Sequence, residues 1–146
     1  MTEFEGKFFT KFKFTGEQVV RYFQNALRDL SIARDDKHIE VKFNYAFNAL
    51  IKAGIALMAA KGVKIRSVPG HHVKLIEKTA EILGDESIAT LGNSMRMKRN
   101  EDFYGGGIFV SEKECREYLE FVEETLEKIK KEIHKNPGRT TGIGTK

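Results

Sequence analysis

The chain has 146 residues, and its 25 lysines and arginines exceed its 21 aspartates and glutamates, which gives a net charge of +4. A length of this size predicts one domain, and 40% hydrophobic with 32% charged residues excludes a disordered chain. The single cysteine, Cys115, excludes an internal disulfide framework, while the excess of positive charge favours an anionic partner.

The N-terminal sequence MTEFEGKFFTKFKF mixes acidic, basic and aromatic residues, unlike the basic and then apolar regions of a signal peptide. The richest apolar stretch, 53–60, is shorter than the roughly 18 residues that a membrane span needs. We therefore expect a cytoplasmic protein with no membrane association.

Residues 8–14 alternate apolar and charged side chains, which predicts a short strand or an extended arm. Either this arm lies across the protein and buries Phe8, Phe12 and Phe14, or it pairs with a second copy of the chain.

Glycines, prolines and capping residues divide the remainder into five predicted helices. The first begins with the capping box Thr15-Gly-Glu-Gln18 and the last with Ser111-Glu-Lys-Glu114. The second is apolar on more than one side, which places it at the centre of a bundle. The predicted helices cover 15–35, 36 or 37 to 61, 71 or 72 to 83, 85–87 to 105, and 111–133. We predict an all-α fold with an N-terminal arm (1–14), a helical domain (15–133) and a disordered basic tail (134–146).

The fourth predicted helix carries positive charge on its apolar side. Helical spacing places Ile88, Leu91 and Met95 on one stripe, and then brings Arg99 and Asp102 onto the same stripe. Either Arg99 and Asp102 form an ion pair where the helix leaves the core, or the stripe ends at a groove or dimer interface whose guanidinium binds a phosphate or a carboxylate. Arg96 and Lys98 flank Arg99 and make this the most concentrated basic patch of the predicted helices.

Four sequence features together resemble the HEPN superfamily of small prokaryotic helical bundles, over residues 15–133. They are the aromatic-rich central helix NYAFNALIKAGIALMAAKG, the segment VPGHHVKLIEKTAEILG, the basic helix ending RNEDFYGG, and the serine-capped last helix. The resemblance implies an up-and-down bundle of four or five helices, commonly a homodimer. It also implies a place among toxin-like ribonucleases and the partners of small nucleotidyltransferases.

Active members of that superfamily carry an arginine, a following polar residue and then a histidine four to six positions after the arginine. Arg99 and Asn100 match the first half of this motif, but Tyr104 stands where the histidine falls. A tyrosine with a pKa near 10 is a poor base at neutral pH, so binding is favoured over cleavage. The predicted binding residues for RNA or a nucleotide are Arg96, Lys98, Arg99, Asn100, Asp102 and Tyr104.

Two adjacent histidines, His71 and His72, begin the third predicted helix. Neighbouring helical residues point about 100° apart, so the pair does not hold one metal ion without other ligands, and we expect no metal and no cofactor. They either cap the helix and contact a neighbour, or lie beside Arg99 and supply the missing imidazole. For cleavage the candidate catalytic residues are Arg99, Tyr104 and His72. Cys115 lies on the apolar side of the last helix, as a buried structural thiol does.

Three functions follow as hypotheses. The first is a homodimeric binding protein for RNA or a nucleotide, the toxin-like or substrate-binding half of a two-protein system with a nucleotidyltransferase or antitoxin partner. The second is a metal-independent ribonuclease that leaves 2′,3′-cyclic phosphate ends. The third is a non-catalytic scaffold that dimerises or docks a partner.

Overall fold

The computed structural model describes residues 3–105 and 110–135, with the backbone alone at 101–105. It consists of five helices and two three-residue strands, which confirms the predicted all-α bundle. The last helix extends to Lys135, so the predicted disordered tail is wrong at residues 134 and 135, and its remainder, 136–146, lies outside the described residues. In chain order the elements are β1 (Phe9–Lys11), α1 (Gly16–Asp35), α2 (Ile39–Ala60), β2 (Val63–Ile65), α3 (His71–Leu83), α4 (Glu86–Gly105) and α5 (Glu112–Lys135).

Both predicted capping boxes form. At the start of α1, Thr15 Oγ1 accepts from the backbone N–H of Gln18 at 3.1 Å, and Gln18 Oε1 accepts from the backbone N–H of Thr15 at 2.8 Å. At the start of α5 the same two bonds join Ser111 and Glu114, each 3.0 Å long. These bonds satisfy N–H groups that have no partner within the helix, so the two helices begin where the sequence predicts.

The central helix is α2, which packs against α1, α3, α4, α5 and β2. It begins at Ile39 rather than at 36 or 37, because Asp36 caps the end of α1 in an extended conformation and accepts from the backbone N–H of His38 at 2.9 Å. By length and composition α2 is apolar enough to cross a membrane, yet 72% of its apolar window is buried inside the bundle. That burial is typical of a core helix.

The N-terminal arm forms a strand, and its partner is in the same chain. Strand β1 pairs antiparallel with β2, so that Phe9 lies opposite Ile65. Strand β2 lies between the second and third predicted helices, where no strand is predicted from the sequence. Phe14 is buried and Phe8 half-buried, but Phe12 is 47% exposed, so its predicted burial is wrong. The pairing turns Phe9 into the core, and a residue three positions further along an extended chain faces the opposite way.

Helix α4 is rotated slightly from its predicted orientation. Within residues 86–100 its buried positions are Ile88, Gly92 and Met95, whereas Leu91 is 37% exposed, in contrast to the prediction. A Cβ atom added at Gly92 would lie 2.8 Å from Cγ2 of Ile76 on α3. The missing side chain therefore lets α4 approach α3 closely, and that approach places position 92 rather than 91 against the core.

Candidate functional site

Arg99 lies at the end of the buried stripe of α4. It is half-buried, and its Nη1 donates to Oδ1 of Asn48 at 2.9 Å. Its Cζ lies 5.4 Å from the ring centroid of Phe47, within the range of a cation–π interaction. Both partners belong to α2, the rigid centre of the bundle. Among the described residues, these two contacts hold the guanidinium and use one of its five N–H donors.

The third predicted helix contributes a histidine to the same place. The ring of His72 meets Phe47 edge-on, with centroids 6.3 Å apart, and the ring of His71 lies 4.2 Å from that of His72. Phe47 therefore contacts both the arginine of α4 and the histidine of α3. The sequence left open whether a histidine lies near Arg99, and the fold brings His72 there.

The charge state of His72 follows from these surroundings. Burial lowers the pKa of His72 below its usual value of 6.5, and the positive charges of His71, Arg99 and Arg96 lower it further. His72 is therefore mainly neutral at neutral pH, when its imidazole can accept a proton. His71 donates from Nδ1 to the carbonyl oxygen of Val68 at 2.9 Å, which fixes the orientation of its ring.

A small cavity opens where the start of α3 faces the end of α4. It has a volume of about 180 Å³. Gly70, with φ of 82°, precedes the helix and provides no side-chain cap, so the positive end of the α3 dipole points into this region. Larger depressions on the surface lack this combination of groups. The cavity is lined by Gly70, His71, His72, Val73, Arg96 and Asn100.

The described side chains that line the cavity include a cation and no acid. Arg96 makes one long bond, from Nε to Oδ1 of Asn93 at 3.4 Å. Among the side chains that the structure describes, no carboxylate lies within 4.0 Å of a guanidinium nitrogen of Arg96 or Arg99. Positive groups collected without a counter-charge form a site that attracts an anion.

The predicted site residues divide into three sets. Arg96, Asn100 and His72 line the cavity, whereas Arg99 does not line it and contacts the ring of Phe47, which His72 also contacts. Lys98 does not line the cavity and lies near the start of α5. The backbone N–H of Ser111 donates to Glu114 and lowers the pKa of that carboxyl group, and the positive charge of Lys98 lowers it further.

The side chains of Asp102 and Tyr104 lie outside the described residues, so their roles stay predictions. The backbone of α4 remains helical to Gly105, so position 104 falls one turn beyond Asn100 on the same side. The predicted pair of Arg99 with Asp102 stays untested for the same reason.

Two residues of the site were missed by the sequence interpretation, Phe47 and Asn48. A half-buried asparagine within the apolar run of α2 was a usable signal, because a buried amide needs a hydrogen-bond partner. Phe47 carried no such signal, since it resembles any other core aromatic.

Cys115 is buried, and burial raises the pKa of its thiol, which disfavours the reactive thiolate. Within 3–100 and 110–135, no group of three histidine, cysteine or acidic side chains is placed to hold a metal ion.

Comparison of the chain with protein-family models, curated proteins and solved structures finds no match. The functional interpretation therefore rests on the residues of this chain and their geometry.

Proposed function

We propose that this protein is an HEPN-like bundle that binds RNA or a nucleotide, with a phosphate group in the cavity between the start of α3 and the end of α4. The observation that supports this most directly is the state of Arg99. It is half-buried, positioned by Asn48 and Phe47, and has no acidic partner among the described side chains.

The chemistry of the cavity favours phosphate. Arginine presents a planar fork of N–H donors that matches phosphate oxygens, and a helix start adds a partial positive charge. The cations of Arg96 and Arg99 repel each other, and a bound anion relieves that repulsion. Asn100 adds an amide that can bond to a sugar or a base edge.

The size of the cavity favours a phosphate of a longer strand over a fully enclosed nucleotide. Its volume of about 180 Å³ is below the roughly 300–1,000 Å³ of typical small-molecule pockets. One phosphate with the edge of its sugar fits such a space, while the base remains outside. RNA is therefore the ligand that we test first.

The test measures the affinity of a labelled single-stranded RNA by fluorescence anisotropy in EDTA. Removing a charged hydrogen-bond donor costs about 1.5–3 kcal/mol, so Arg99→Ala should bind roughly 10- to 100-fold more weakly. Arg99→Lys should recover little of this loss, because lysine lacks the planar fork. Arg28→Ala, on the exposed surface of α1, is the matched control and should bind as the native protein does. A folded Arg99→Ala protein with native RNA affinity contradicts the proposal.

A second function is favoured by one specific observation, the contact of both Arg99 and His72 with Phe47. In a metal-independent cleavage, neutral His72 accepts the proton of the 2′-hydroxyl while Arg99 stabilises the charge on the phosphate. The 2′-oxygen then bonds to phosphorus, and the 5′-oxygen leaves and takes a proton from water. The products are a 2′,3′-cyclic phosphate and a free 5′-hydroxyl.

Analysis of RNA ends after incubation in EDTA separates the two functions. Cleavage predicts 2′,3′-cyclic ends with the native protein, and His72→Ala should abolish these ends while RNA affinity changes little. If no cyclic ends form at any pH between about 5 and 8, where a histidine changes its charge, binding without cleavage is the function. We include in the proposal, on the HEPN resemblance alone, that the protein is one half of a two-protein system with a nucleotidyltransferase or antitoxin.

A further inference from the structure

The β1–β2 hairpin and its flanking residues carry concentrated positive charge. Residues 7–14 and 61–66, which we call the basic ribbon, hold six cationic side chains and no acidic one. Of these six, Lys61 alone has a carboxylate partner among the described residues, Glu132 at 2.8 Å. The other five are exposed: Lys7, Lys11, Lys13, Lys64 and Arg66.

An exposed aromatic ring lies among these charges. Phe12 is 47% exposed, although the neighbouring Phe14 is buried and contacts it with ring centroids 4.6 Å apart. The Nζ of Lys64 lies 5.8 Å from the centroid of Phe12. Lys11, Phe12 and Lys13 border an open depression of about 530 Å³. The exposed Phe12 ring contacts Phe14 and lies among lysines, an arrangement suited to stacking of a nucleic-acid base.

The basic ribbon leads directly to the cavity of α3 and α4. Strand β2 ends at Ile65, and His71 follows Arg66 by five residues, which span at most about 18 Å. The intervening turn is tied to the N-terminal arm, because Arg66 donates from its backbone N–H to the carbonyl oxygen of Phe8 at 2.7 Å and from Nη1 to that of Gly6 at 3.0 Å. A polymer held in the cavity therefore has a charged surface within reach.

We propose that the basic ribbon is a second docking surface for single-stranded RNA, on which a base stacks on Phe12 while backbone phosphates pair with Lys11, Lys13 and Lys64. Aromatic rings within a positively charged groove are the usual means of binding single strands without sequence preference. The inference rests on the proposed function in one respect: the same strand places a phosphate in the cavity beside Arg99.

The test compares two RNA lengths on the full chain. A trinucleotide is short enough to bind at the cavity alone, whereas an oligonucleotide of about 15 nucleotides also covers the basic ribbon. Phe12→Ala should weaken binding of the longer RNA by roughly 5- to 100-fold, the usual loss when a stacked base loses its aromatic ring, and leave the trinucleotide unchanged. Phe12→Tyr should bind like the native protein, because tyrosine keeps the stacking ring. Circular dichroism checks that each variant is folded.

The lysines are tested by salt dependence. Replacing Lys11, Lys13 and Lys64 together with glutamine should lower the salt slope of longer-RNA binding by about 2, since each neutralised phosphate of a single strand contributes about 0.7. The matched control replaces Lys113, Lys130 and Lys131, exposed on α5, and removes the same charge. The control should keep the native slope.

The outcomes separate this inference from the proposed function. If Arg99→Ala weakens the trinucleotide but the ribbon variants bind longer RNA normally, the ribbon inference is overturned and the proposed function stands. If longer RNA depends on Phe12 and not on Arg99, the ribbon stands and the cavity proposal fails. If the triple lysine variant loses anionic vesicles but keeps its RNA affinity, the ribbon is a lipid surface and the inference is overturned.

Discussion

Replacing Gly92 with alanine tests the close packing of α4 against α3. The added Cβ would lie 2.8 Å from Cγ2 of Ile76 and 3.4 Å from Cδ2 of Leu50. Cγ2 of Ile76 is attached directly to its β-carbon, and the side chain is 2% exposed and stiff, so it has no free space into which to turn.

Two opposing contributions determine how much Gly92→Ala changes the free energy of unfolding. Alanine is favoured over glycine by about 1 kcal/mol within a helix. Inserting a methyl group into a filled core costs about 1–3 kcal/mol. The clash with Ile76 wins, so we expect Gly92→Ala to lower the free energy of unfolding by about 1 kcal/mol and the midpoint of thermal unfolding by about 2–4 °C for a domain of this size.

Thermal and urea unfolding measure this change. Thr90→Ala, at an exposed position of the same helix, is the control and should leave stability unchanged or slightly raised. Leucine has no branch at its β-carbon, so Gly92→Ala should cost less in an Ile76→Leu background than in the native chain, a coupling that a double-mutant cycle measures. If Gly92→Ala instead raises stability by about 1 kcal/mol, as at a solvent-exposed helical glycine, the close approach of α4 to α3 is refuted.

Three further predictions concern single contacts and assembly. The pKa of His72 is lower in the folded chain than in the unfolded one, so the unfolded chain binds more protons, and the free energy of unfolding falls as the pH decreases below the unfolded value of 6.5. His72→Asn should reduce this fall, which urea unfolding at several pH values measures. Asp29, 2% exposed, pairs with Lys52 at 2.7 Å. Lys52→Met should cost about 2 kcal/mol, less than for a fully buried pair because Lys52 is 44% exposed, and adding Asp29→Asn should recover most of the loss. The HEPN resemblance predicts a homodimer, so sedimentation at micromolar concentration should give twice 16.6 kDa, and a single 16.6 kDa species contradicts the dimer.

The candidate site shows how far local sequence signals reach. Arg99 was predicted from the periodicity of one helix, and its placement at the end of a buried stripe agrees with that pattern. Its partner Asn48 is 51 positions away, and Phe47 carried no polar signal. The contact of His72 with Phe47 depends on how α3 packs against α2, which no local pattern in the sequence reports.

The β1–β2 hairpin also depends on a contact that local sequence patterns do not predict. Strand β2 has three residues, too few to show the alternation of apolar and polar side chains that predicts a strand. It forms because it pairs with β1, which is more than 50 residues earlier in the chain. Within the strand, the pairing with β2 turns Phe9 into the core. The ring of Phe12, on which the ribbon inference depends, lies just after that strand and is exposed.

The sequence by itself determined the number of helices and most of their ends, because capping boxes, glycine stops and apolar spacing act between residues at most four apart. It also placed the most apolar helix at the centre. Only the tertiary structure decided the rotation of α4, the contacts of Arg99 on α4 and His72 on α3 with Phe47 of α2, and the pairing of β1 with β2. These features depend on how closely two elements can approach each other, as α4 approaches α3 where Gly92 lies against Ile76. Such packing joins residues that are distant in the chain.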